Sequence, residues 1–503
     1  MAVVLAAFSL VVATLSFSLR PDAFFVGDPG VKLISARNAL HSPASPLSIP
    51  LPHIGADATP HVESFFAIHG DHSHAITSEA FPLLTAPLLA AFGLRGLFVL
   101  PAVSFIATLA ACAWLSVVLD ARREPAVVAT LAGLGTPFLF YGLEFWEHMP
   151  ALALATCGAA LLLDAARRSP GRHSSAGASL AAGLLMGAAV VLRLEAACFV
   201  VAVAFASRTL VHRPTWRSLA VTALGAAAAM LPLELYTLAH FGSVVPGHLG
   251  ANAALVGGGW WSQRVDLAAA WFLPSRWTLA GPVRAESLWS VAPAAVIGAL
   301  SFLATPERAE RMFLWIVWLL TTALVWLGAP NDGGGQWGPR YLLFSYVPLV
   351  LLATDALRPR RRRAATLALV VALVAGCLWV QRAAYRQLRG AKVVYGQVVD
   401  FVEGVANPGA PVVTDLWWLD QIAAAALDGR TLLFAGDAGT GRDIVQRLSD
   451  VTAPVVTVIR SREQSADADG WTGSSCYFEE SRAELAVRGL VAIRLRHLCG
   501  HRP

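Results

Sequence analysis

The chain has 503 residues, of which 56% are hydrophobic and 14% are charged, and its mean hydropathy is +0.59. In soluble proteins about a quarter of the residues are charged, so these values exclude an ordinary soluble enzyme and predict a multi-span protein of the lipid bilayer. The net charge is +5, but no stretch of the sequence interleaves basic and aromatic residues. Nucleic acid is therefore not expected as a partner.

Apolar runs bounded by charged residues predict the spans, since a helix needs about 20 residues to cross about 30 Å of hydrocarbon. We predict about eleven transmembrane helices. They cover approximately residues 3–20, 95–119, 125–143, 148–166, 176–192, 195–208, 217–239, 286–304, 311–329, 341–356 and 364–381. Residues 1–20 could instead form a cleaved signal peptide, but no Lys or Arg precedes the apolar stretch and no clear cleavage site follows it, which favours an uncleaved first span.

Short Arg-rich loops alternate with longer polar segments along the chain. By the positive-inside rule, the short basic loops are cytoplasmic. They carry Arg122 and Arg123, Arg167, Arg168 and Arg172, Arg208, Arg213 and Arg217, Arg308 and Arg311, and Arg358 with Arg360 to Arg363. The outer side then receives residues 21–94, the 240–285 loop and everything after about residue 385. We therefore expect nearly all polar motifs on the extracytoplasmic face.

The chain divides into a transmembrane domain, residues 1–385, whose first outer loop is residues 21–94, and a tail of residues 386–503. The tail alternates strand-like runs (APVVTDLWW, RTLLFAG, APVVTVIR, LVAIRLR) with helical stretches (LDQIAAAAL, RDIVQRLSD), which predicts a small extracytoplasmic α/β domain. Its GDAGTG lacks the Lys-Ser/Thr of a phosphate-binding loop and is interpreted as a turn. Cys476 and Cys499 lie in this exported tail, where an oxidising compartment would allow a disulfide.

The stretch GDPGVKLISAR, residues 27–37, follows the first span directly. Asp before Pro is a favoured helix start, so Asp28 could simply cap a short amphipathic helix. A functional interpretation comes from other polar groups predicted at the outer ends of later spans, because ionisable residues at membrane depth are costly and mark functional sites. These groups include Glu144, Glu147, His148, Arg193, Glu195 and Arg340.

Several motifs together resemble the GT-C superfamily of polytopic glycosyltransferases, in particular its protein O-mannosyltransferase and aminoarabinose-transferase-like group. They are GDPGVKLISARNAL, SEAFPLLTAPLLAAFG, TPFLFYGLEFWEHMPALAL, GLLMGAAVVLRLEA, AHFGSVVPGH and GGGQWGPRYLL. The resemblance covers roughly residues 1–385. It implies a GT-C-like fold, a polyprenyl-phosphate sugar donor, inversion at the sugar carbon and an outer-loop catalytic acid, which maps onto Asp28.

The chain departs from this family pattern in two places. Many relatives carry a second acid directly after the first, whereas this chain has Pro29. Relatives often show Tyr or Lys where this chain has GDHSHAITSEAFP. The departures affect the role assigned to Asp28 and the contacts made with the acceptor.

Transfer from a lipid phosphate needs a base for the acceptor hydroxyl and cations for the departing phosphate. Asp28 is the predicted base. Arg340, Arg193 and Lys32 are the predicted donor phosphate ligands, because guanidinium forks match phosphate oxygens. Arg340 could instead be an interfacial anchor beside aromatic neighbours, and Arg193 could form an internal ion pair with Glu195 or another acid.

Acceptor binding or support of the catalytic groups is predicted for Glu147, His148, Glu79 and Tyr341. Glu147 and His148 lie between the third and fourth spans, where solvation of helix ends explains them equally well. A second cluster, His69, Asp71, His72 and His74, could hold a divalent metal ion. Loop histidines are common at polar surfaces and this spacing is not diagnostic, so no cofactor is certain and a divalent metal is the one candidate.

The sequence thus predicts a glycosyltransferase of the bacterial plasma membrane. It would move a hexose or pentose from a polyprenyl-phosphate donor to an envelope glycan, lipid or protein acceptor on the outer face, with the tail docking the acceptor or covering the cavity. A transporter or flippase of an envelope precursor is the alternative, although the middle of the spans is mostly Ala, Leu, Val and Gly. A non-catalytic envelope scaffold would need no converging outer acids.

Overall fold

The computed structural model describes residues 1–54, 57–58, 65–120, 123–168, 176–241, 260–273, 277–278, 281–282, 287–301, 308–333, 336–357, 363–463, 471 and 476–498. The chain forms two compact units. The first unit comprises Met1–Ser18 and Gly96–Leu388, and the second comprises Leu19–Arg95 and Arg389–Pro503. The second unit therefore contains both the first predicted outer loop and the tail.

Helices dominate the described chain. In chain order they are α1 (Ala2–Ser18), α2 (Asp28–His41), α3 (Ala80–Phe92), α4 (Val99–Leu119), α5 (Pro125–Leu134), α6 (Phe138–Gly142), α7 (His148–Arg168), α8 (Ala176–Leu192), α9 (Glu195–Ala206), α10 (Trp216–Phe241), α11 (Trp260–Phe272), α12 (Leu288–Val291), α13 (Pro293–Leu300), α14 (Ala309–Gly328), α15 (Tyr346–Ala356), α16 (Arg363–Val405), α17 (Leu419–Ile422) and α18 (Ala438–Asp450).

The strands are short in the first outer loop and longer near the C-terminus. They are β1 (Ile49–Pro50), β2 (His53–Ile54), β3 (Asp57–Ala58), β4 (Phe66–His69), β5 (His72–Ala75), β6 (Trp277–Thr278), β7 (Gly281–Pro282), β8 (Val412–Thr414), β9 (Leu432–Phe434), β10 (Val455–Ser461), β11 (Tyr477–Leu485) and β12 (Leu490–His497).

Helical structure lies in each of the apolar runs that predicted a span. Within the described residues, five helical stretches are long and apolar enough to cross a membrane. They are Ala80–Leu119, His148–Arg168, Trp216–His240, Ala309–Gly328 and Ala368–Val405. The chain is therefore a helical, multi-pass membrane protein. The number of eleven spans and their orientation stay predictions, and several of the loop arginines, Arg122, Arg172, Arg358 and Arg360 to Arg362, lie outside the described residues.

Small residues bring α8 and α10 into contact within the first unit. A Cβ atom added to Gly183 would lie 2.0 Å from the carbonyl oxygen of Thr222, and one added to Gly187 would lie 2.3 Å from that of Ala226. Two glycines four residues apart share one helix face, and this spacing is a common device for close packing of membrane helices. Any larger side chain at either position would push the two helices apart.

Apolar side chains cover much of the outside of the first unit. Leu224, Phe205 and Val103 are 65%, 64% and 60% exposed. Exposed apolar side chains are unfavourable in water but match the acyl chains of a bilayer. The outer surface therefore supports the same conclusion as the length of the apolar helices.

Helix α16 is longer than the predicted last span, residues 364–381. Its 43 residues measure about 65 Å at about 1.5 Å per residue, which is twice the thickness of the hydrocarbon. The helix continues because residues 382–405 have no proline, and it ends shortly before Pro408 and Gly409, which adopts a φ of 74°. A proline soon after the last turn is a usual helix terminator.

The C-terminal part of the second unit contains a mixed sheet in the order β11-β12-β10-β8-β9. Strand β8 is parallel to β9 and β10, whereas β12 is antiparallel to β10 and β11. Neighbouring residues of β8 enter different cores, since Val412 packs with Val402 of α16 and Val413 packs with Leu448 of α18. Alternation of side chains along a strand explains this division. Ile54 of the first outer loop packs in the core that contains Val413 and Leu448.

Most of the tail elements occur where the pattern predicts them, with three differences. Strand β11 is not predicted, because its residues Tyr477–Leu485 are mostly exposed and include four charged side chains. The helix predicted over residues 419–427 is only Leu419–Ile422. GDAGTG is not simply a turn, since Asp437 caps α18 by accepting a hydrogen bond from the backbone of Thr440 at 2.8 Å. An Asp at this position starts a helix readily.

Cys476 forms a disulfide bond. Cys499 lies outside the described residues, so its pairing with Cys476 stays a prediction. The cysteines of the predicted spans, Cys112, Cys157, Cys198 and Cys377, are free.

Candidate functional site

Asp28 is the first residue of α2, in the second unit. The N-cap is Gly27, which makes no side-chain capping bond, so the interpretation of Asp28 as the cap is wrong by one position. The carbonyl of Gly27 accepts a hydrogen bond from the backbone of Gly30 at 2.8 Å, which begins the helix. Asp28 is half-buried and stands in the first turn, where the helix dipole stabilises a carboxylate. We call residues 27–30 the Asp28 turn.

Two cations, Arg20 and Lys392, connect the segment before the Asp28 turn with α16. The guanidinium of Arg20 donates to Asp22 at 3.0 Å and to Asp400 of α16 at 2.7 and 2.8 Å. The buried ammonium of Lys392 donates to the carbonyl of Ala23 at 2.7 Å. Charge-assisted bonds are among the stronger hydrogen bonds of proteins. The residues before Asp28 are therefore tied to the C-terminal half of α16.

Lys32 and Glu79 lie in the same unit as Asp28. Lys32 is only 1% exposed and Glu79 9%, and α2, which carries Lys32, packs against α3, which follows Glu79. A buried ammonium or carboxylate requires local polar partners. Phosphate binding by Lys32 and acceptor binding by Glu79 stay predictions.

The β4–β5 hairpin carries the predicted metal cluster. Asp71 and His72 contact each other, with 2.6 Å between Asp71 Oδ1 and His72 Nδ1, and this hydrogen bond lowers the pKa of Asp71. His74 Nδ1 lies 3.0 Å from the carbonyl oxygen of Leu47. The side chain of His69 lies outside the described residues. In the part of the chain that is described, no three His, Cys, Asp or Glu side chains are placed to hold a metal ion, so the metal stays a prediction.

Arg193 lies between α8 and α9 in the first unit and is paired with two acids. Its Nη1 donates to Glu147 Oε1 at 2.9 Å, and its Nε and Nη2 donate to the two oxygens of Glu195 at 3.1 and 2.5 Å. The three side chains are 14%, 3% and 16% exposed, in the order Arg193, Glu147 and Glu195. The internal ion pair that the sequence left open is therefore present. We call these three residues the Arg193 network.

Tyr341 lies beside both predicted phosphate-binding arginines of the first unit. The guanidinium carbon of Arg193 is 5.6 Å from the centroid of the Tyr341 ring, and that of Arg340 is 5.4 Å from it. The hydroxyl of Tyr341 donates to Asn331 Oδ1 at 3.2 Å. A guanidinium within about 6 Å of an aromatic ring centroid interacts favourably with the ring face. The ring therefore helps to place two positive charges near one another.

Gln336 makes hydrogen bonds with residues on either side of it in the chain. Gln336 Oε1 accepts a hydrogen bond from the backbone of Arg340 at 3.0 Å, and Gln336 Nε2 donates to the carbonyl of Asp332 at 2.5 Å. Gly333 has a φ of 99°, and a Cβ atom there would lie 3.0 Å from Arg340 Nε. Glycine at this position thus permits both the backbone conformation and the close approach of Arg340. Arg340 itself is half-buried.

His148 is the first residue of α7 and is 3% exposed. Its ring centroid lies 5.0 Å from that of Tyr141 and 5.3 Å from that of Trp146. Solvation of a helix end does not account for a histidine that is buried among aromatic rings.

The structure thus places the predicted residues in two groups. Arg193, Glu147, Tyr341 and Arg340 come together in the first unit. Asp28, Lys32, Glu79 and the β4–β5 hairpin belong to the second unit. The sequence interpretation missed Tyr141, Trp146, Asn331 and Gln336 as neighbours of these groups, and the only available signal was that they flank ionisable residues in the quoted motifs.

The two groups differ in what they can do chemically. Arg193 faces two carboxylates, so its positive charge is already balanced within the described residues of its network. Arg340 is half-buried and adds a second guanidinium next to the same ring. A guanidinium can bind a phosphate through two parallel hydrogen bonds. A half-buried carboxylate such as Asp28 can accept a proton from a hydroxyl.

No protein-family model matches the chain, and no curated protein matches its sequence. Solved structures do match it. The crystal structure of ArnT from Cupriavidus metallidurans bound to undecaprenyl phosphate superposes with a TM-score of 0.62 at 13% identity, over 99% of this chain and 98% of that chain. The archaeal oligosaccharyltransferase AglB from Archaeoglobus fulgidus, in complex with an inhibitory peptide and a dolichol-phosphate, gives 0.50 at 14% identity, over 93% and 70%.

A second structure of the Archaeoglobus fulgidus oligosaccharyltransferase, tethered with an acceptor peptide, gives a TM-score of 0.52 at 13% identity and covers 97% of this chain and 73% of that chain. ArnT is an aminoarabinose transferase, and both proteins are GT-C glycosyltransferases. The chain has their fold, so the resemblance to the GT-C superfamily is confirmed at the level of the fold.

Proposed function

We propose that the protein is a membrane glycosyltransferase that moves a sugar from a polyprenyl-phosphate-linked donor to a glycan, lipid or protein of the cell envelope. The observation that carries the proposal is the match over 99% of the chain to a transferase structure that holds undecaprenyl phosphate. The pair of guanidinium groups beside Tyr341 supports it, because a lipid phosphate needs cations at its binding site.

Arg340 is the preferred ligand for the donor phosphate. It is half-buried, and its backbone N–H donates to Gln336. Arg193 is the second choice, because a phosphate would have to compete there with Glu147 and Glu195 for the same donors. Tyr341 orients both cations, and Glu147 acts through Arg193.

Asp28 is the proposed base for the acceptor hydroxyl. Asp28 is half-buried in the first turn of α2, and the segment before it is anchored to α16 by charge-assisted hydrogen bonds at Arg20 and Ala23. Removal of the hydroxyl proton would raise the nucleophilicity of the acceptor oxygen as it attacks the sugar carbon, while the phosphate departs with the bonding electron pair.

The proposed location is the plasma membrane of a bacterium, with eleven spans and with the C-terminal α/β part on the outer side. The disulfide at Cys476 supports an oxidising compartment for this part, since disulfides persist outside the cytoplasm. The orientation follows from the positive-inside rule applied to the short basic loops.

Native mass spectrometry of the detergent-purified protein tests the proposal. The wild type is compared with Arg340→Ala and with Arg442→Ala, a matched control because Arg442 is an exposed cation of α18. We expect a polyprenyl phosphate, bare or carrying a sugar, on the wild type and on Arg442→Ala, and its depletion by about tenfold or more in Arg340→Ala, since bidentate charged bonds are strong. Absence of any isoprenoid lipid from the wild type, with other lipids retained, would overturn the proposal in favour of a transporter.

A further inference from the structure

We propose that residues 417–428 of the tail, the support segment, position Asp28 for its reaction. The proposal rests on the role of Asp28 proposed above and assigns a task to the tail that differs from acceptor docking. Gln421 and Asp420 are its central residues, and both are almost completely buried, at 2% and 1% exposed.

Glycines on both sides of Asp28 allow the Asp28 turn to approach Gln421 closely. A Cβ atom added to Gly30 would lie 1.7 Å from the backbone oxygen of Gln421, and one added to Gly27 would lie 1.9 Å from Gln421 Oε1. A side chain at Gly30 would require the backbone of the support segment to move, and one at Gly27 would require the side chain of Gln421 to move. The φ of Gly27 is −70°, so close approach and not an unusual backbone angle explains the glycine there.

The contact continues along α2. Arg37 donates from Nη1 to the carbonyl of Ala424 at 2.6 Å and pairs with Asp428 at 3.3 Å. Residues seven apart lie on the same face of a helix, which places Gly30 and Arg37 on one side of α2. Burial of its guanidinium lowers the pKa of Arg37. One face of α2 is therefore fixed to the support segment at both ends.

The support segment is held by its own hydrogen bonds. Asp420 Oδ1 accepts a bond from the backbone of Gln421 at 2.8 Å, and Gln421 Nε2 donates to the carbonyl of Trp417 at 3.3 Å. Trp417 stacks on Phe65 of the first outer loop, with 6.1 Å between ring centroids. These contacts fix the backbone of Gln421, which is the surface that Gly30 touches.

A second oxygen of Asp420 is buried without a partner among the described residues. Burial of an unsatisfied polar atom costs stability and is retained where function requires it. Asp420 is thus a positioning residue that acts through Gln421 on the Asp28 turn. A shift of about 1 Å in a reacting group lowers an enzymatic rate by up to about a hundredfold, so loss of this support should appear in turnover.

Two pairs of variants of the full-length protein test the proposal. Gly30→Ala forces the turn away from Gln421, and Gly404→Ala is its control, because Gly404 lies in α16 with open space around it. Gln421→Ala removes the amide but no backbone contact, and Gln446→Ala, a half-buried residue of α18, is its control. Hydrogen exchange measured by mass spectrometry reports on residues 27–41, and native mass spectrometry reports on retention of added undecaprenyl phosphate.

Turnover is measured as the rate at which a radiolabelled sugar leaves the polyprenyl-phosphate fraction of membranes. We expect Gly30→Ala to slow this rate by about tenfold or more and to speed exchange in residues 27–41, with undecaprenyl phosphate retention within about twofold of the wild type. Gln421→Ala should show a smaller loss of the same kind, and both controls should match the wild type.

Equal loss of lipid retention and turnover in Gly30→Ala would show general unfolding and would overturn the positioning role. Wild-type hydrogen exchange and wild-type turnover in both Gly30→Ala and Gln421→Ala would also overturn it. A wild type that releases no label from the lipid fraction would overturn the proposed function instead. In that case the exchange of residues 27–41 still decides whether the support segment holds α2.

Discussion

Side chains hold the Arg193 network together, whereas backbone contacts hold the Asp28 turn. In the first unit, one guanidinium is shared by two carboxylates and lies beside the ring of Tyr341. In the second unit, glycines let the chain around Asp28 touch the backbone of Gln421. The first arrangement depends on charge balance and the second on the absence of side chains.

This difference determines which substitutions each region tolerates. An ion-pair network loses stability when one charge is removed, because its partners stay buried without compensation. A backbone contact loses geometry when any side chain is added, even an apolar methyl group. Variants that remove a charge should therefore affect the Arg193 network most, and variants that add a side chain should affect the Asp28 turn most.

Asp28→Asn should have the largest effect. The amide keeps the size of the carboxylate but cannot accept the hydroxyl proton, so we expect the release of labelled sugar from the lipid fraction to fall by about 10²–10⁴-fold. Asp443→Asn, at an exposed acid of α18, is the control and should keep the wild-type rate. Wild-type turnover in Asp28→Asn would remove Asp28 from the chemistry.

Arg193→Ala should have the largest effect on stability. It leaves the buried Glu147 and the half-buried Glu195 without the Arg193 cation, and removal of one partner of a buried ion pair costs about 3–5 kcal/mol. Thermal unfolding in detergent measures it, with Arg442→Ala as the control. Glu147→Gln should cost less, because Arg193 keeps Glu195. An unchanged melting temperature in Arg193→Ala would mean that the network contributes nothing to the fold.

Asp420 should make the stability depend on pH. Burial raises its pKa from 3.8 to about 7, so the folded chain holds a proton that the unfolded chain has lost. The free energy of unfolding therefore falls as pH rises between these two values. Asp420→Asn should remove this fall, which is on the order of 4 kcal/mol. Denaturant unfolding at several pH values measures it, and parallel curves for wild type and variant would contradict the assignment.

Ile54→Val should have the smallest effect. Ile54 is 4% exposed and packs in the core beside α18, so loss of one methyl group should cost about 1 kcal/mol. Ile68→Val is the matched control, because Ile68 belongs to the same outer loop but is 37% exposed. Equal losses in the two variants would contradict the view that the first outer loop contributes to the core of the second unit.

Much of the helical architecture could be predicted from the sequence, because lipid requires long apolar runs and charged residues bound them. The Arg193 pair with Glu195 was also open to prediction, since two residues at a helix start lie close in space. The β8, β9, β10 and β12 strands followed from their apolar runs between turn residues. These features all depend on neighbours in the chain.

The rest depends on contacts between distant parts of the chain. Nothing in the sequence GDPG shows that Gly30 must lack a side chain in order to contact Gln421. Nothing in the sequence LDQI shows that this segment contacts α2. Strand β11 escaped prediction because most of its side chains face solvent. His148 looked like a helix-end residue because the rings of Tyr141 and Trp146 lie in ordinary apolar sequence. Contacts between distant parts of the chain bring Gly30 to Gln421, whereas His148 is covered by rings only two and seven residues away.

The lipid bound to purified Asp28→Asn is the most direct test of the central claim that the protein transfers sugar from a polyprenyl phosphate. Without the base, donor should bind but not react, so native mass spectrometry should show sugar-loaded polyprenyl phosphate on Asp28→Asn at a higher occupancy than on the wild type. The mass of that lipid would also identify the sugar. Wild type and Asp28→Asn that both lack any isoprenoid lipid would contradict the account.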